Sequence, residues 1–485
     1  MRIVIVGGGT SGWMTAAAFC KTFPKWSVTI ISNGESIGVG ESTTPHFDQY
    51  LKFMEISDEK FLVSARATFK SSSRFEDFAS LGSVFHYPNG QFSSEDDYNE
   101  WMVAKEYFSD GLPSFAETFM PFVTVAEQGK IPLNDPVLGN YSLTRDRSFH
   151  IDAGQFVKFL KKEFCQKITE LTGKVNKIKV KDGVIQHINV DRTDIFADLF
   201  IDCTGQKSLL IKETQNVFNP FDTLITDSAL VLKSDYENKD REMVAYTNAK
   251  GMSSGWQWTI PTYDYISRGY VFSSKHQSES DARKEFGYDD AKLIKFRNGR
   301  WDRAWCGNCI AIGLSYGFIE PLESTGLFST HHGILALMDL LQEAPLPGQF
   351  QRDRFNYNLA EHMDGWREFV EAHYYYSHRR DTTFWREVTD GIEYPMKGAH
   401  AEIRQIMIAG DPFPFDHQPI AYILAGSGYT NVNTRLVEYF KPPFMIGHKK
   451  VDGWKQKYAT ILKHSETQPT MHQFLDEYFY SNLED

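Results

Sequence analysis

Near the start of the chain, Gly7-Gly8-Gly9-Thr10-Ser11-Gly12 fits the spacing G-x-G-x-x-G. It follows the apolar run Ile3-Val4-Ile5-Val6 and opens a helical stretch over 13–23, the context in which such a loop binds a dinucleotide. The glycines let the backbone approach a pyrophosphate, and a helix N-terminus supplies unpaired N–H groups to hold it. Gly7, Gly9, Thr10, Ser11 and Gly12 are therefore candidate cofactor residues; the alternative is a glycine turn with no ligand. The next strand, over 27–31, should end in an acid that holds a ribose. That position is Ser32, followed by Asn33. One hydroxyl replaces a carboxylate, so the sequence predicts weaker than usual adenosine binding, with Glu35 placed to compensate.

Gly38-Val39-Gly40-Glu41-Ser42-Thr43-Thr44-Pro45 sets two glycines beside small hydroxyl residues. Such a loop can lie against a ring system, or be a plain turn. Cys306-Gly307-Asn308-Cys309 has redox-pair spacing, but its surroundings read as entry into a buried strand. His331-His332 lies in a helical stretch with no third ligand nearby in sequence, and no metal site is expected.

Residues 1–45 read strand, glycine turn, helix, strand, loop. Two segments over 174–190 alternate around Asp182-Gly183 as hairpin strands, and a further strand over 197–203 ends in Thr204-Gly205. Residues 83–145 are rich in Pro, Gly, Ser and aromatics and read as an insertion; from about 328 the periodicity turns helical. The pattern predicts an α/β fold with a Rossmann-type dinucleotide-binding domain and a mainly helical second part; the family resemblance set out below implies that the first is an FAD-binding domain of the flavin-monooxygenase kind and the second a substrate subdomain. The expected partition is a discontinuous FAD box, 1–82 and 146–335, and a substrate-binding part, 83–145 and 336–485.

The net charge of −12 argues against nucleic acid or an anionic membrane as the main partner. A small-anion site built from backbone N–H groups is compatible with it. No secretory signal and no membrane span are expected. The five cysteines fit a reducing cytoplasm better than a disulfide framework.

Three further segments, with the loops above, resemble the flavin-dependent tryptophan halogenase family. They are Gly255-Trp256-Gln257-Trp258-Thr259-Ile260-Pro261, which matches that family's W-x-W-x-I-P signature, the run from Gly313 through Glu320-Pro321-Leu322-Glu323-Ser324-Thr325-Gly326, and Ala67-Thr68-Phe69-Lys70 with Arg74-Phe75. Weaker matches include His150-Ile151-Asp152-Ala153. The resemblance covers residues 1 to about 390. It implies that reduced FAD reacts with O2 to give a flavin hydroperoxide. A halide ion (chloride, bromide or iodide) attacks it, and the hypohalous acid formed travels through a short tunnel to an electron-rich arene.

By this resemblance Lys70 is the catalytic lysine, polarising hypohalous acid or forming a haloamine. Glu323 is the catalytic glutamate, stabilising the cationic ring and accepting its proton, with Ser324 as a polar neighbour. Thr325 and Gly326 hold the halide, and Gly313 and Pro321 join the flavin-binding set. Trp256, Trp258, Ile260 and Pro261 shield the flavin from organic substrate. The resemblance also implies a separate NAD(P)H-dependent flavin reductase, since the chain shows no second glycine fingerprint. For Lys70 the bland reading is a solvated lysine; for Glu323, a turn-stabilising carboxylate; for the tryptophans, a buried strand.

The chain departs from members specific for free tryptophan. Their aromatic-rich C-terminal clamp is replaced here by the short Met407 to His417 segment. A more open site for indoles or phenols is expected, with Phe413, Phe415 and Trp101 as candidate lining and the easier halides, bromide and iodide, favoured. The main alternative is a flavin-dependent aromatic monooxygenase of the same fold; a second is a non-catalytic flavin-binding protein, for which Lys70 and Glu323 would be dispensable.

Overall fold

The computed structural model describes residues 1–34, 40–90, 95–391, 418–428 and 447–481. Glu35, Gly38, Val39, Phe413 and Phe415 lie outside the described residues. The chain divides into two compact units, cut after Ala67, His150, Ser228, Leu293 and Arg367. The partition read from the sequence had its cuts near 82, 145 and 335.

The first unit comprises Met1–Ala67, Ile151–Ser228 and Ile294–Arg367. Its main sheet has six strands in the order Trp305–Cys306, Cys309–Ala311, Leu199–Asp202, Arg2–Val6, Ser27–Ser32, Thr169–Thr172. All neighbours run parallel except the first pair. Ile3 to Val6 are all buried, as expected where a parallel strand is covered on both faces. Arg2–Val6 sits between the strands it pairs with, so the glycine loop leaves the interior of the sheet. The helix that follows, Thr10–Thr22, packs against the helices Ala153–Phe164 and Thr325–Glu343. Its fully buried Ala16, Ala17 and Ala18 allow close approach.

The hairpin expected around Asp182-Gly183 is present: Lys181 pairs with Val184, and both turn residues have positive φ, the geometry of a two-residue type I′ turn. Cys306 and Cys309 face each other across a short antiparallel pair, and all five cysteines are free thiols.

The second unit comprises Thr68–His150, Ala229–Leu293 and Glu368–Asp485. Its framework is a seven-stranded sheet in the order Lys292–Lys295, Ser228–Ser234, Ile266–Phe272, Gly255–Pro261, Tyr246–Gly251, Ser72–Glu76, Val84–Pro88. Val84–Pro88, at the head of the segment read as an insertion, pairs with Ser72–Glu76 and extends the sheet. Helices in this unit bury their own aromatic core, in which Phe115 packs against Trp101, Phe119 and Tyr422. Among the described residues, no helix is long and apolar enough to cross a membrane.

Candidate active site

In the first unit the glycine loop is shaped by steric necessity. Gly7 has φ of 122°, and a Cβ there would strike the Cys203 carbonyl oxygen; a Cβ on Gly12 would strike the Gly7 carbonyl oxygen. Gly9 differs, because a Cβ there would meet nothing within 4 Å. It is also the N-cap of Thr10–Thr22 and offers no side chain to cap it. The leading helix amides therefore open onto clear space, a cradle that fits a pyrophosphate.

The other candidates in this unit gather around that loop. Ser32 packs against Gly8, and its hydroxyl accepts a bond from the Gly34 N–H at 3.1 Å. The Ser11 hydroxyl pairs with that of Thr330 at 3.1 Å, and Gly313 lies against both. Thr10 donates to the Glu41 carboxylate at 3.4 Å. Glu41 keeps some contact with solvent, yet protein atoms crowd its carboxyl, and desolvation raises its pKa to about 7 against the pull of Thr10. Gly40 and Ser42 share its short strand, and Ser42 and Thr43 are buried.

The second cluster of this unit is the turn leading into Thr325–Glu343. Pro321–Glu323 forms one 3₁₀ turn, and Ser324 then adopts φ of 60°, a left-handed conformation that costs a serine free energy. Upstream, Glu320 is fully buried, with its carboxylate accepting from the Thr226 hydroxyl and its amide donating to Asn298 at 2.8 Å. Glu323 is 3% exposed. The helix then begins at Thr325 with no side-chain cap. A cavity of about 10 Å³ lies at this end, lined by Ile319, Thr325, Gly326, Ser329, Met363 and Trp366 among others. That volume holds roughly one water-sized sphere, and a Cβ on Gly326 would touch only Leu314, at 4.0 Å. Helix amides, a favourable dipole and room for one particle suit a monatomic anion.

In the second unit Lys70 ends the strand Thr68–Lys70, paired antiparallel with Ser148–Asp152. It is 4% exposed, so it is no surface lysine. Its carbonyl accepts from Asn89 Nδ2 at 2.9 Å and from the Ser148 hydroxyl at 3.3 Å. Phe69 points to the opposite face and packs on Phe149, Phe474 and Phe479. Trp256, Trp258 and Ile260 alternate along Gly255–Pro261 and are all buried. The Trp258 N–H donates to Ser267 at 3.3 Å, and its ring lies over Gly269, where any Cβ would collide with it. The end of this strand meets the lysine strand directly: the Thr68 hydroxyl donates to the Pro261 carbonyl at 2.6 Å.

The sequence motifs and this geometry point to one family. A family model described as tryptophan halogenase matches residues 2–435. The chain belongs to the tryptophan halogenase family. It is similar to tryptophan 6-halogenase SttH from Streptomyces toxytricini, 31% identical over 475 residues, covering 88% of this chain and 89% of that one. It is also 31% identical over 422 residues to the 7-chloro-L-tryptophan 6-halogenase KtzR of Kutzneria sp., covering 79% and 81% of the two chains. Among solved structures, the VirX1 apo structure superposes with a TM-score of 0.89 at 33% identity, covering 99% of both chains. BrvH, a flavin-dependent halogenase from Brevundimonas sp. BAL3, gives 0.84 at 27% identity over 98% of both. This halogenase thus has the expected mixed α/β, FAD-binding fold.

Some residues that organise this halogenase escaped sequence reading. Asp202 is fully buried and accepts from the amides of Thr204, Leu210 and Ile211 at 3.0, 2.7 and 2.9 Å, which fastens the loop after Leu199–Asp202. Its only sequence signal is an acid ending an otherwise apolar strand before Cys203-Thr204-Gly205. Thr226 and Asn298, which hold Glu320, carry no local signal. Trp101, a candidate for substrate lining, is buried beside Phe115 and donates to the Pro113 carbonyl at 3.1 Å.

Proposed function

We propose that this member of the family uses FADH2, O2 and a halide to halogenate an electron-rich arene of indole or phenol type. The single observation that carries the reading is the uncapped start of Thr325–Glu343, where Thr325 and Gly326 line a small cavity and the helix N-terminus suits an anion. The open cradle beside Gly9 supports a dinucleotide in the same unit.

Gly7, Gly9, Thr10, Ser11 and Gly12 would hold the pyrophosphate of FAD, and Ser32 its adenosine end. Gly38, Val39, Gly40, Glu41, Ser42, Thr43, Gly313 and Pro321 would complete the flavin site. When bound, reduced FAD with O2 supplies the oxidising equivalent that converts halide to hypohalous acid. The amides of Thr325 and Gly326 hold the halide. Lys70 hydrogen-bonds hypohalous acid and polarises it toward the arene. Glu323 stabilises the cationic ring and accepts the proton it loses, with Ser324 as its polar neighbour. Trp256, Trp258, Ile260 and Pro261 form a wall that keeps organic substrate from the flavin. A separate NAD(P)H-dependent reductase supplies FADH2, in the cytoplasm. In this scheme 1–82 and 146–335 serve the flavin, and 83–145 and 336–485 the substrate.

The test is incubation with FAD, a flavin reductase, NADH and bromide against a panel of indoles, phenols and free tryptophan, read by mass spectrometry. The expected product carries the bromine isotope doublet, and Glu323→Gln lowers its rate by about 10²-fold or more. Products with oxygen inserted and no bromine would replace this reading with an aromatic monooxygenase.

A further inference from the structure

His150 sits opposite Thr68 in the ladder that carries Lys70, and it is fully buried. Residues two apart in a strand share a face. Thr68 and Lys70 therefore face the same way, as do their partners His150 and Ser148.

Both nitrogens of His150 are engaged. Nδ1 lies 3.3 Å from the Thr68 hydroxyl, and Nε2 lies 2.9 Å from the Thr247 hydroxyl. The single hydroxyl proton of Thr68 goes to the Pro261 carbonyl. Thr68 can then only accept from His150, so Nδ1 carries the ring proton and Nε2 accepts from Thr247. The proton order runs Thr247 to His150 to Thr68 to Pro261. This chain fastens the lysine strand to the strand of Trp256 and Trp258 and to Tyr246–Gly251.

The charge state suits the position. Burial, helped by the nearby Lys70 cation, pushes His150 well below the ordinary histidine range, so it stays neutral. A carboxylate in its place would trap the ammonium in an ion pair, and a cation would repel it. A neutral ring with both nitrogens occupied fixes the scaffold and places no further charge beside the lysine.

We propose that His150 is a positioning residue for Lys70, holding the lysine-bearing strand in register with the W-x-W-x-I-P strand through its two threonine hydrogen bonds. The inference rests on the assignment of Lys70 made above. The competing reading is a core histidine whose loss disturbs the whole protein equally.

A double-mutant cycle on the full chain separates them. Lys70→Ala, His150→Phe and the double variant are assayed with FAD, reductase, NADH and bromide. Two rates are followed: arene bromination, and release of free hypobromous acid trapped by an added nucleophile. With His150→Phe, bromination is expected to fall about tenfold to a hundredfold, while hypobromous acid release and FAD affinity change little. The double variant should be no worse than Lys70→Ala, and His150→Gln, which keeps polar ends, should recover part of the loss. Additive losses, equal loss of both rates, or unchanged bromination would each overturn the proposal. If His150→Phe fails to fold, Thr247→Val removes the Nε2 partner with little change of volume and enters the same cycle. Full bromination by Lys70→Ala would overturn the Lys70 assignment and this inference together; a low residual Lys70→Ala rate that His150→Phe reduces further, by the same factor as in the parent, would overturn this inference alone.

Discussion

His332 and His362 meet with ring centroids 3.9 Å apart and planes inclined at 61°. Phe328 stacks on His332 and is met edge-on by His46, His331 and Trp366. Burial lowers the pKa of His332 to about 4 and of His331 to about 3, and lowers His46 and His362 as well. The rings depress one another, and only Glu361 pulls His362 the other way.

This cluster predicts an acid limb of stability. The unfolded chain protonates His331 and His332 near pH 6.5, the folded one only near 3 and 4. Between those values the unfolded state binds more protons, so stability falls as the pH drops from about 6.5 toward about 4. The slope is at most ~1.4 kcal/mol per pH unit for each buried ring, less for His332, which keeps some solvent contact. Above pH 6.5 the cluster is silent. Denaturant melts at pH 7.5, 6 and 5 check this: His332→Leu should flatten the slope. An equal slope in both proteins would rule out the cluster as its source.

A second prediction concerns the cofactor cradle. An alanine at position 9 meets no protein atom, and its backbone is extended with negative φ. Gly9→Ala should therefore leave stability within about 1 kcal/mol, while its methyl occupies the space where a pyrophosphate would lie. FAD affinity measured by fluorescence quenching should fall at least about tenfold. Unchanged affinity would move the dinucleotide away from the start of Thr10–Thr22.

How much of this was legible in the sequence depended on how local each signal was. The glycine loop and the Asp182-Gly183 hairpin were readable because neighbouring residues alone dictate them. A helix from about 328 was readable too, though it opens at Thr325, and its cavity was not readable: Met363 and Trp366 come from another helix, and nothing near Gly326 predicts them. The seven-stranded sheet was missed because its parallel pairing, Ser72–Glu76 with Tyr246–Gly251, joins residues about 174 positions apart. His150 looked like part of a weak motif, since its partners Thr68 and Thr247 are brought to it only by folding.

A third prediction uses that cavity. Gly326→Ala adds a methyl where only Leu314 is near, so the fold should tolerate it; alanine is favoured over glycine in a helix by up to ~1 kcal/mol. The same methyl competes with a monatomic ion for a space of about 10 Å³. The apparent KM for bromide should rise at least about tenfold, with melting temperature and FAD affinity preserved. An unchanged halide KM would place the anion elsewhere.

The last prediction follows from the two faces of the lysine strand. On the side away from Lys70, Phe69 is covered by Phe149 and by Phe474 and Phe479 from the C-terminal helical segment. That segment is well anchored. Met471 and Leu475 are fully buried, Thr470 and Gln473 form a reciprocal capping box, and the Tyr263 hydroxyl donates to Asp476 at 2.8 Å. Phe474 itself is half-buried, so Phe474→Ala should cost less than the 3–5 kcal/mol typical of a core phenylalanine, about 1–2 kcal/mol. With its backing loosened, the Thr68–Lys70 strand should open more often, and peptides spanning 68–75 should exchange amide hydrogens faster than the rest of the sheet. Arene bromination should fall more than hypobromous acid release, because the loosened strand carries Lys70 and not the candidate halide residues. Uniformly faster exchange across the second unit would instead mean that Phe474 contributes only general stability.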